Sequence, residues 1–246
     1  MSSSLVGLVL IITVLFLYMI CLLGKNKFLL KNQHATKQKT ETLRHLIANS
    51  LEEGTAVHCD VSNPDESGAI SGGTLAALRT VRAISAQLAS ADEPLFITNN
   101  QGALTFFNQD AIQNGMRQSG LENEFDPNAS IYAGYSPLSH QSGVIALLAG
   151  EACAVHLNMG TFGPEIALQD LAFDSSEGII AAGDNLAGQA VAYVTADESF
   201  IGEEVFEIPQ AVKTNPGTDN GLLVMDLLRI GMIVAILAGS IFAILA

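Results

Sequence analysis

Tryptophan is absent from this chain, cysteine occurs three times in 246 residues, and 11 Lys and Arg stand against 25 Asp and Glu, a formal net charge of −14. Cys21, Cys59 and Cys153 make no disulfide framework, so the fold must rest on burial, and the latter two read as small buried apolar residues. Positive charge is scarcest in the middle. From residue 45 to 212, Arg79, Arg82 and Arg117 face 22 acidic residues, a formal charge of −19. Such a surface repels nucleic acid and anionic headgroups, and it argues against a phosphate-rich substrate held by several cations. Also missing are CxxC, HxxxH and HExxH metal spacings, a GxSxG elbow, the lysine of a phosphate loop and the GxGxxG dinucleotide fingerprint. No motif names a reaction, and neither a catalytic residue nor a metal-ligand set is assigned.

What the chain does have is two long runs without a charged side chain, 20 residues from Leu5 to Gly24 and 17 from Ile230 to Ala246. A helix rises about 1.5 Å per residue and a bilayer core is about 30 Å thick, so each run is long enough to span. Directly after the first run come Lys25, Lys27, Lys31, Lys37, Lys39 and Arg44, six of the 11 basic residues. Because positive flanks stay on the cytoplasmic side, the middle domain is expected in the cytoplasm and both termini outside. Lys213 and Arg229 repeat the asymmetry before the second run. A cleaved signal peptide reverses this order, with its positive charge ahead of the apolar stretch, and a lipoprotein reading of Cys21 lacks the same basic region. The expectation is a two-pass protein of the cell membrane.

Behind Thr40, Leu43, Leu46, Ile47 and Leu51 recur at helical spacing, an amphipathic helix that lies on the headgroups or packs on the domain. Short runs rich in β-branched residues follow at 55–59, 94–98, 129–133, 152–157, 178–182 and 190–195. Helical patterns alternate with the first five, at about 73–90, 104–119, 138–150 and 164–173. Strict alternation marks crossover units and a parallel sheet covered on both faces. The fold class expected is α/β: a single Rossmann-like, doubly wound, mostly parallel sheet of five or six strands, flanked by N- and C-terminal transmembrane helices. The divisions are a first span over 1–24, a basic juxtamembrane segment with its helix over 25–53, the cytoplasmic domain over 54–212, a linker over 213–221 and a second span over 222–246. Thr74 is a plausible helix cap, Gly120 a helix stop, and Pro164 with Glu165 a helix start. A last helix is expected around 200–211, with Glu203, Glu204 and Glu207 on or beside one face, as a solvated acidic start or a place for a divalent cation.

The Gly-rich turn after the first strand, GTFGPE at 160–165 and IGEEVFE at 201–207 resemble a family of uncharacterised prokaryotic membrane proteins of unknown function, over roughly residues 40 to 245. The resemblance implies a membrane-anchored α/β domain and supplies no activity, cofactor or catalytic residue.

In an open parallel sheet, ligands bind beyond the carboxyl ends of the strands. That edge is expected to carry His58, Cys59 and Asp60, then Thr98, Asn99, Asn100 and Gln101, then Tyr132, Tyr135 and Ser136, then Asn158 and Thr161, and last Asp184 and Asn185. The loop SGAISGGT, 67–74, can present backbone N–H groups to an anion, or is simply a turn with a cap. The candidate ligand-binding residues are Ser71, Gly72, Gly73, Thr74, Asn99, Asn158 and Thr161. His58 and Asp60 share a strand face and can meet His140 or His156 around a metal, although buried, hydrogen-bonded histidines are the commoner outcome.

Two functional classes remain. The first is a structural or interaction module that self-assembles as a homo-oligomer or joins a larger membrane complex, favoured by the double tether, by Gly231 and Gly239 in the second run, and by Asp226 and Arg229 as a possible pair. The alternative is a module that binds or senses a nucleotide- or metabolite-like small molecule, or a tethered enzyme with its site at the strand carboxyl ends, acting on a nucleotide-like or amide-containing metabolite. The cofactor, if any, is unknown.

Overall fold

The computed structural model describes residues 34–63, 69–89, 95–149, 153–173 and 178–213, and in the terminal segments positions 12, 14, 16, 19, 224, 225, 227–233 and 236. It divides into two units, one of Ala35–Pro216 and one of Met1–His34 with Gly217–Ala246. In the terminal unit the described positions are helical. Val224 is buried with Val14, Leu227 and Leu228 packed on it, while Ile12, Phe16, Met19, Ile230, Met232, Ile233 and Ile236 are exposed. Among the described residues no helix is long and apolar enough to cross a membrane. Most of the two expected spans, and Asp226, lie outside the described residues.

The larger unit alternates helix and strand in the order α1 (His34–Glu53), β1 (Ala56–Ser62), α2 (Gly72–Leu88), β2 (Leu95–Asn99), α3 (Gly102–Gln118), β3 (Ser130–Tyr132), α4 (Pro137–Leu148), β4 (Cys153–Gly160), α5 (Ile166–Ala172), β5 (Gly178–Gly183), α6 (Leu186–Thr195), β6 (Glu198–Ile201) and α7 (Ile208–Ala211). The six strands form one all-parallel sheet in the order β3-β2-β1-β4-β5-β6. This is a Rossmann-like arrangement: the order turns back between β1 and β4, and that switch point opens a crevice at the strands' carboxyl ends.

Side chains alternate across a strand, and here the two faces have opposite chemistry. Val57, Cys59 and Val61 of β1, Leu95 and Ile97 of β2, and Val155, Leu157 and Met159 of β4 join one apolar core with residues of α1, α2, α3 and α7. Their neighbours His58, Asp60, Thr98, His156 and Asn158 are buried too, against the other layer of α4, α5 and α6. A small cluster of Phe162, Ile166, Ala181 and Ala192 is the apolar part of that second layer.

The helix behind Thr40 takes the second of its two placements. Leu43 and Ile47 of α1 lie in the main core, Lys39 pairs with Glu204 at 2.8 Å and donates to the Ser199 carbonyl at 2.8 Å. The apolar run at 190–195 is not the sixth strand but the second half of α6. Asn185 caps that helix by accepting from the N–H groups of Ala187 and Gly188 at 2.9 and 3.4 Å, and the cap turns a β-branched stretch into helix; the strand follows at Glu198–Ile201. The expected helix over 200–211 is likewise broken into the end of β6, a tight turn at Gly202–Phe206 and α7, because Gly202 holds φ +63° and Pro209 sits in the first turn of α7. Ser71 rather than Thr74 caps α2, whereas Gly120, at φ +76°, does follow the end of α3.

Helices α2 and α3 approach closely at Gly115, where a Cβ would lie 2.5 Å from the Arg82 carbonyl oxygen and 2.7 Å from Ser85 Cβ. Gly115→Ala is therefore expected to destabilise by about 1–3 kcal/mol despite the better helix propensity of alanine. Gly102→Ala, placed where a Cβ meets nothing within 4 Å, is the control, and urea midpoints of the two variants compare them.

Candidate functional site

The polar face of the sheet converges on one carboxylate. Asp60 is 1 % exposed, and its Oδ1 lies 2.8 Å from His140 Nε2 of α4 and 3.1 Å from Thr98 Oγ1 of β2. Thr98 Oγ1 is 2.8 Å from His58 Nε2, and His58 Nδ1 is 3.2 Å from His156 Nδ1. His156 stacks on Phe173, ring centroids 4.0 Å apart. A carboxylate only accepts, so the direction of the chain follows: Thr98 donates to Asp60, His58 Nε2–H donates to Thr98, and His156 Nδ1–H donates to His58.

Protonation follows from the same geometry. Burial pushes the Asp60 carboxyl up, but the charge and hydrogen bond of His140, with His58 and Thr98, outweigh it and hold the group below its usual value. Burial pulls His140 down, yet Asp60 more than restores it, so this imidazole sits above its ordinary value. His58 and His156 are held neutral, chiefly by burial, at about 3 and about 4. Burial also raises the Cys59 thiol, on the opposite face, and leaves it inert. Among the described residues no group of three His, Cys, Asp or Glu side chains is placed to hold a metal ion.

At the switch point the backbone itself shapes a cleft. Gly160 ends β4 at φ +105°, where a Cβ would press within 2.3 Å of the Ser62 carbonyl oxygen, and Thr161 N–H then donates to that oxygen at 2.9 Å. The cleft, about 200 Å³, is lined by Ser62 and Asn63 after β1, Asn100 and Gln101 after β2, Tyr135, Ser136, Pro137, His140 and Gln141 at the start of α4, and Thr161, Phe162 and Glu165 after β4. The rim amides brace each other: Asn63 N–H donates to Asn100 at 2.9 Å, and Gln101 Nε2 to the Asn63 carbonyl at 2.7 Å. Two lining residues, His140 and Gln141, are 2 % and 1 % exposed, and His140 Nδ1 and Gln141 Oε1 have no hydrogen-bond partner. A larger groove of about 770 Å³ gathers Arg79, Arg82 and Lys213 beside Gln118 and Ser119, away from the strand ends; among the described residues it holds no comparable orphaned atom.

The residues singled out in the sequence separate into two groups. Ser71, Gly72, Gly73, Thr74 and Thr161 come together at the start of α2. Ser71 Oγ accepts from Thr74 N–H at 3.0 Å and lies 2.7 Å from Thr161 Oγ1, and Thr74 Oγ1 donates to the Ser62 carbonyl at 2.9 Å. The anion that faces this helix start belongs to the chain: Asp184 Oδ2 accepts from Gly73 N–H at 3.0 Å, and a Cβ on Gly73 would meet it at 2.7 Å. Phe206 closes on Gly72 from another side. Asn99 and Asn158 do not join this group. Asn99 donates to the Ile131 carbonyl of β3 at 3.1 Å and accepts from Thr105, while Asn158 donates to Asp170 at 2.8 Å and accepts from Gln169. Of the acidic trio, Glu204 bonds Lys39 and the Ile201 N–H.

A family model matches the chain over residues 5–246. The chain belongs to the DUF6754 family, described as a domain of unknown function. The match covers nearly the whole chain, so family membership carries the α/β unit and both terminal segments together while naming no chemistry. No curated protein and no solved structure matches it.

Two outcomes are expected. His58 and His156 stay neutral in the fold down to about 3 and about 4, whereas unfolded histidine takes its proton near 6.5. The unfolded chain therefore binds more protons as pH falls, and the urea midpoint should decline from about pH 6.5 towards 4. Asp170, raised by burial to about 6, works the other way below pH 6, so Asp170→Asn should steepen the decline; a level midpoint across the window would show that the two histidines are not buried neutral. Removing the internal anion with Asp184→Ala should cost about 0.5–2 kcal/mol, as loss of a helix cap does, and should make thermal stability rise with added inorganic phosphate, a rise not expected of the unaltered chain.

Proposed function

We propose that the chain is a membrane-anchored binding module whose Rossmann-like unit receives a small polar ligand in the strand-end cleft. The observation that carries this reading is the pair of buried, partnerless polar atoms, His140 Nδ1 and Gln141 Oε1, in residues lining one cavity at the switch point. A buried polar atom left unpaired costs about 1–3 kcal/mol, and two of them in adjacent residues beside one cavity mark a place where the fold forgoes stability. The asymmetric support also fits: His140 is held from behind by Asp60, so its orientation does not depend on the ligand. Membrane anchoring is supported by the two uncharged runs at the termini and by the exposed apolar residues among their described helical positions, and the basic run after the first supports a cytoplasmic side for the α/β unit.

The assembly reading has its own support in Leu168 and Leu171 of α5 and Tyr193 and Val194 of α6, large apolar side chains exposed on neighbouring helices. One experiment separates the two. The full chain in detergent is screened by thermal shift against a broad metabolite panel while its mass is followed by light scattering. At least one ligand is expected to raise the melting temperature, and Gln141→Met should abolish that rise. Absence of any shift, together with a stable oligomer, would sink the binding reading and favour assembly.

A further inference from the structure

We infer that the α/β unit turns its layer of α1, α2, α3 and α7 to the bilayer and seats the groove of Arg79, Arg82 and Lys213 on anionic lipid headgroups; this rests on the chain being membrane-anchored.

Basic residues are sorted by layer. Seven Lys and Arg stand between residues 35 and 216, and all seven belong to α1, α2, α3 or the segment just after α7. Those four helices share the apolar core on one face of the sheet, whereas α4, α5 and α6 on the other face carry no Lys or Arg. Both connections to the terminal apolar runs leave from the basic layer, since α1 is the first helix of the unit and α7 the last. Two of the cations are occupied within the fold, Lys39 by Glu204 and Arg117 by Glu122.

The groove collects cations that are not so occupied by any carboxylate lining it among the described residues. Helix α2 contains no Asp or Glu, and its outward stripe of Leu75, Arg79, Arg82 and Ala86 repeats at helical spacing. Both arginines are exposed, and Leu75 is 51 % exposed. Turned with its oxygen towards Arg82, the Gln118 amide accepts from Nε and Nη2 at 2.7 Å each, which orients the guanidinium without neutralising it. Gln87 of α2 donates to the Val212 carbonyl and so holds the neighbouring Lys213 beside the same groove. The formal charge of −19 over residues 45–212 conceals this face, because charges further apart than about 8 Å are largely screened at physiological ionic strength.

Exposure and tethering together select the occupant. A single phosphate in solution gains little from exposed, screened cations on flexible side chains. A bilayer presents headgroups to all three cations at once, and the tether makes the encounter intramolecular. Residues 214–221 separate Lys213 from the second expected span, and fully extended they reach about 30 Å, so the groove stays within reach of the headgroups. Leu75 adds an apolar side chain on the same stripe, suited to the boundary between headgroups and acyl chains.

The chain has no tryptophan, so Leu75→Trp introduces a single indole on this stripe. The full chain carrying it is reconstituted into vesicles of phosphatidylcholine, alone or with about one part in three of phosphatidylglycerol, and quenching by lipids brominated on their acyl chains is measured. Quenching is expected with phosphatidylglycerol and not with phosphatidylcholine alone, and sodium chloride should reverse it. Each cation near an anionic surface strengthens docking about fivefold, so Arg79→Gln with Arg82→Gln should lower the docked-to-free ratio about 25-fold and Lys213→Gln about fivefold. Lys213 lies outside every helix and strand, so its variant carries the test if the double variant does not fold. Arg117→Gln should leave the ratio level, and inorganic phosphate should release the indole no better than chloride at the same ionic strength. Equal quenching in the two lipids, or a loss in Arg117→Gln as large as in Lys213→Gln, would overturn the inference. Release by phosphate beyond that by chloride would overturn it too, in favour of a soluble anion. Extraction with alkaline carbonate is scored on the same vesicles. A chain that stays in the bilayer without lipid-dependent quenching loses the docking face alone, and one that washes out loses the anchoring reading with it.

Discussion

A carboxylate buried in the middle of a sheet dictates the composition of everything around it. Asp60 is charged and out of water, so each of its neighbours must donate: His140 from α4, Thr98 from β2, and through Thr98 the pair His58 and His156. That requirement explains why one face of this sheet is built of histidine, threonine and asparagine while the other is valine, leucine and isoleucine. It also fixes α4 relative to β1, because the ion pair is the polar link between the helix that returns across the sheet and the strand at its centre. The cleft inherits its geometry from this link. His140 and Gln141 sit at its edge because His140 is held there.

Such a layer is less tolerant than an apolar one. Truncating one member strands the others, and the chain of donors from His156 to Asp60 has a single direction that any substitution must respect. The second polar knot, where Asn158 joins Asp170 and Gln169 and Asp170 accepts from Thr195, ties α5 and α6 to β4 by the same means. The second helix layer is thus held by hydrogen bonds and a small apolar cluster, and the first by a continuous apolar core.

Much of the architecture could be read from the alternation of runs. Five strands and the helices between them fall where β-branched and helical periodicities put them, since those patterns reflect burial on two faces or on one stripe. The failures were local. The run at 190–195 has strand composition, but the Asn185 cap two turns earlier commits it to helix; the cap was visible as a residue and its reach was not. Long-range pairing was invisible for a different reason. His140 meets Asp60 across 80 positions and Gly73 meets Asp184 across 111, and no local pattern encodes either. Asn100, Gln101, Tyr135, Ser136 and Thr161 were legible as rim residues from strand ends alone. Asn63 and Gln141 were not, the first because β1 runs longer than its apolar stretch, the second because nothing marks a glutamine on an amphipathic helix as unpaired.

The glycine turn at the start of α2 is the position where folds of this order commonly depend on what is dissolved around them. A glycine-rich helix start that binds phosphate takes its negative charge from a diffusible ion, at whatever concentration the compartment supplies. Asp184 is joined to the same chain, so its effective concentration at Gly73 is set by the sheet and not by the solvent. The helix start keeps its counter-charge whatever the concentration of phosphate around it.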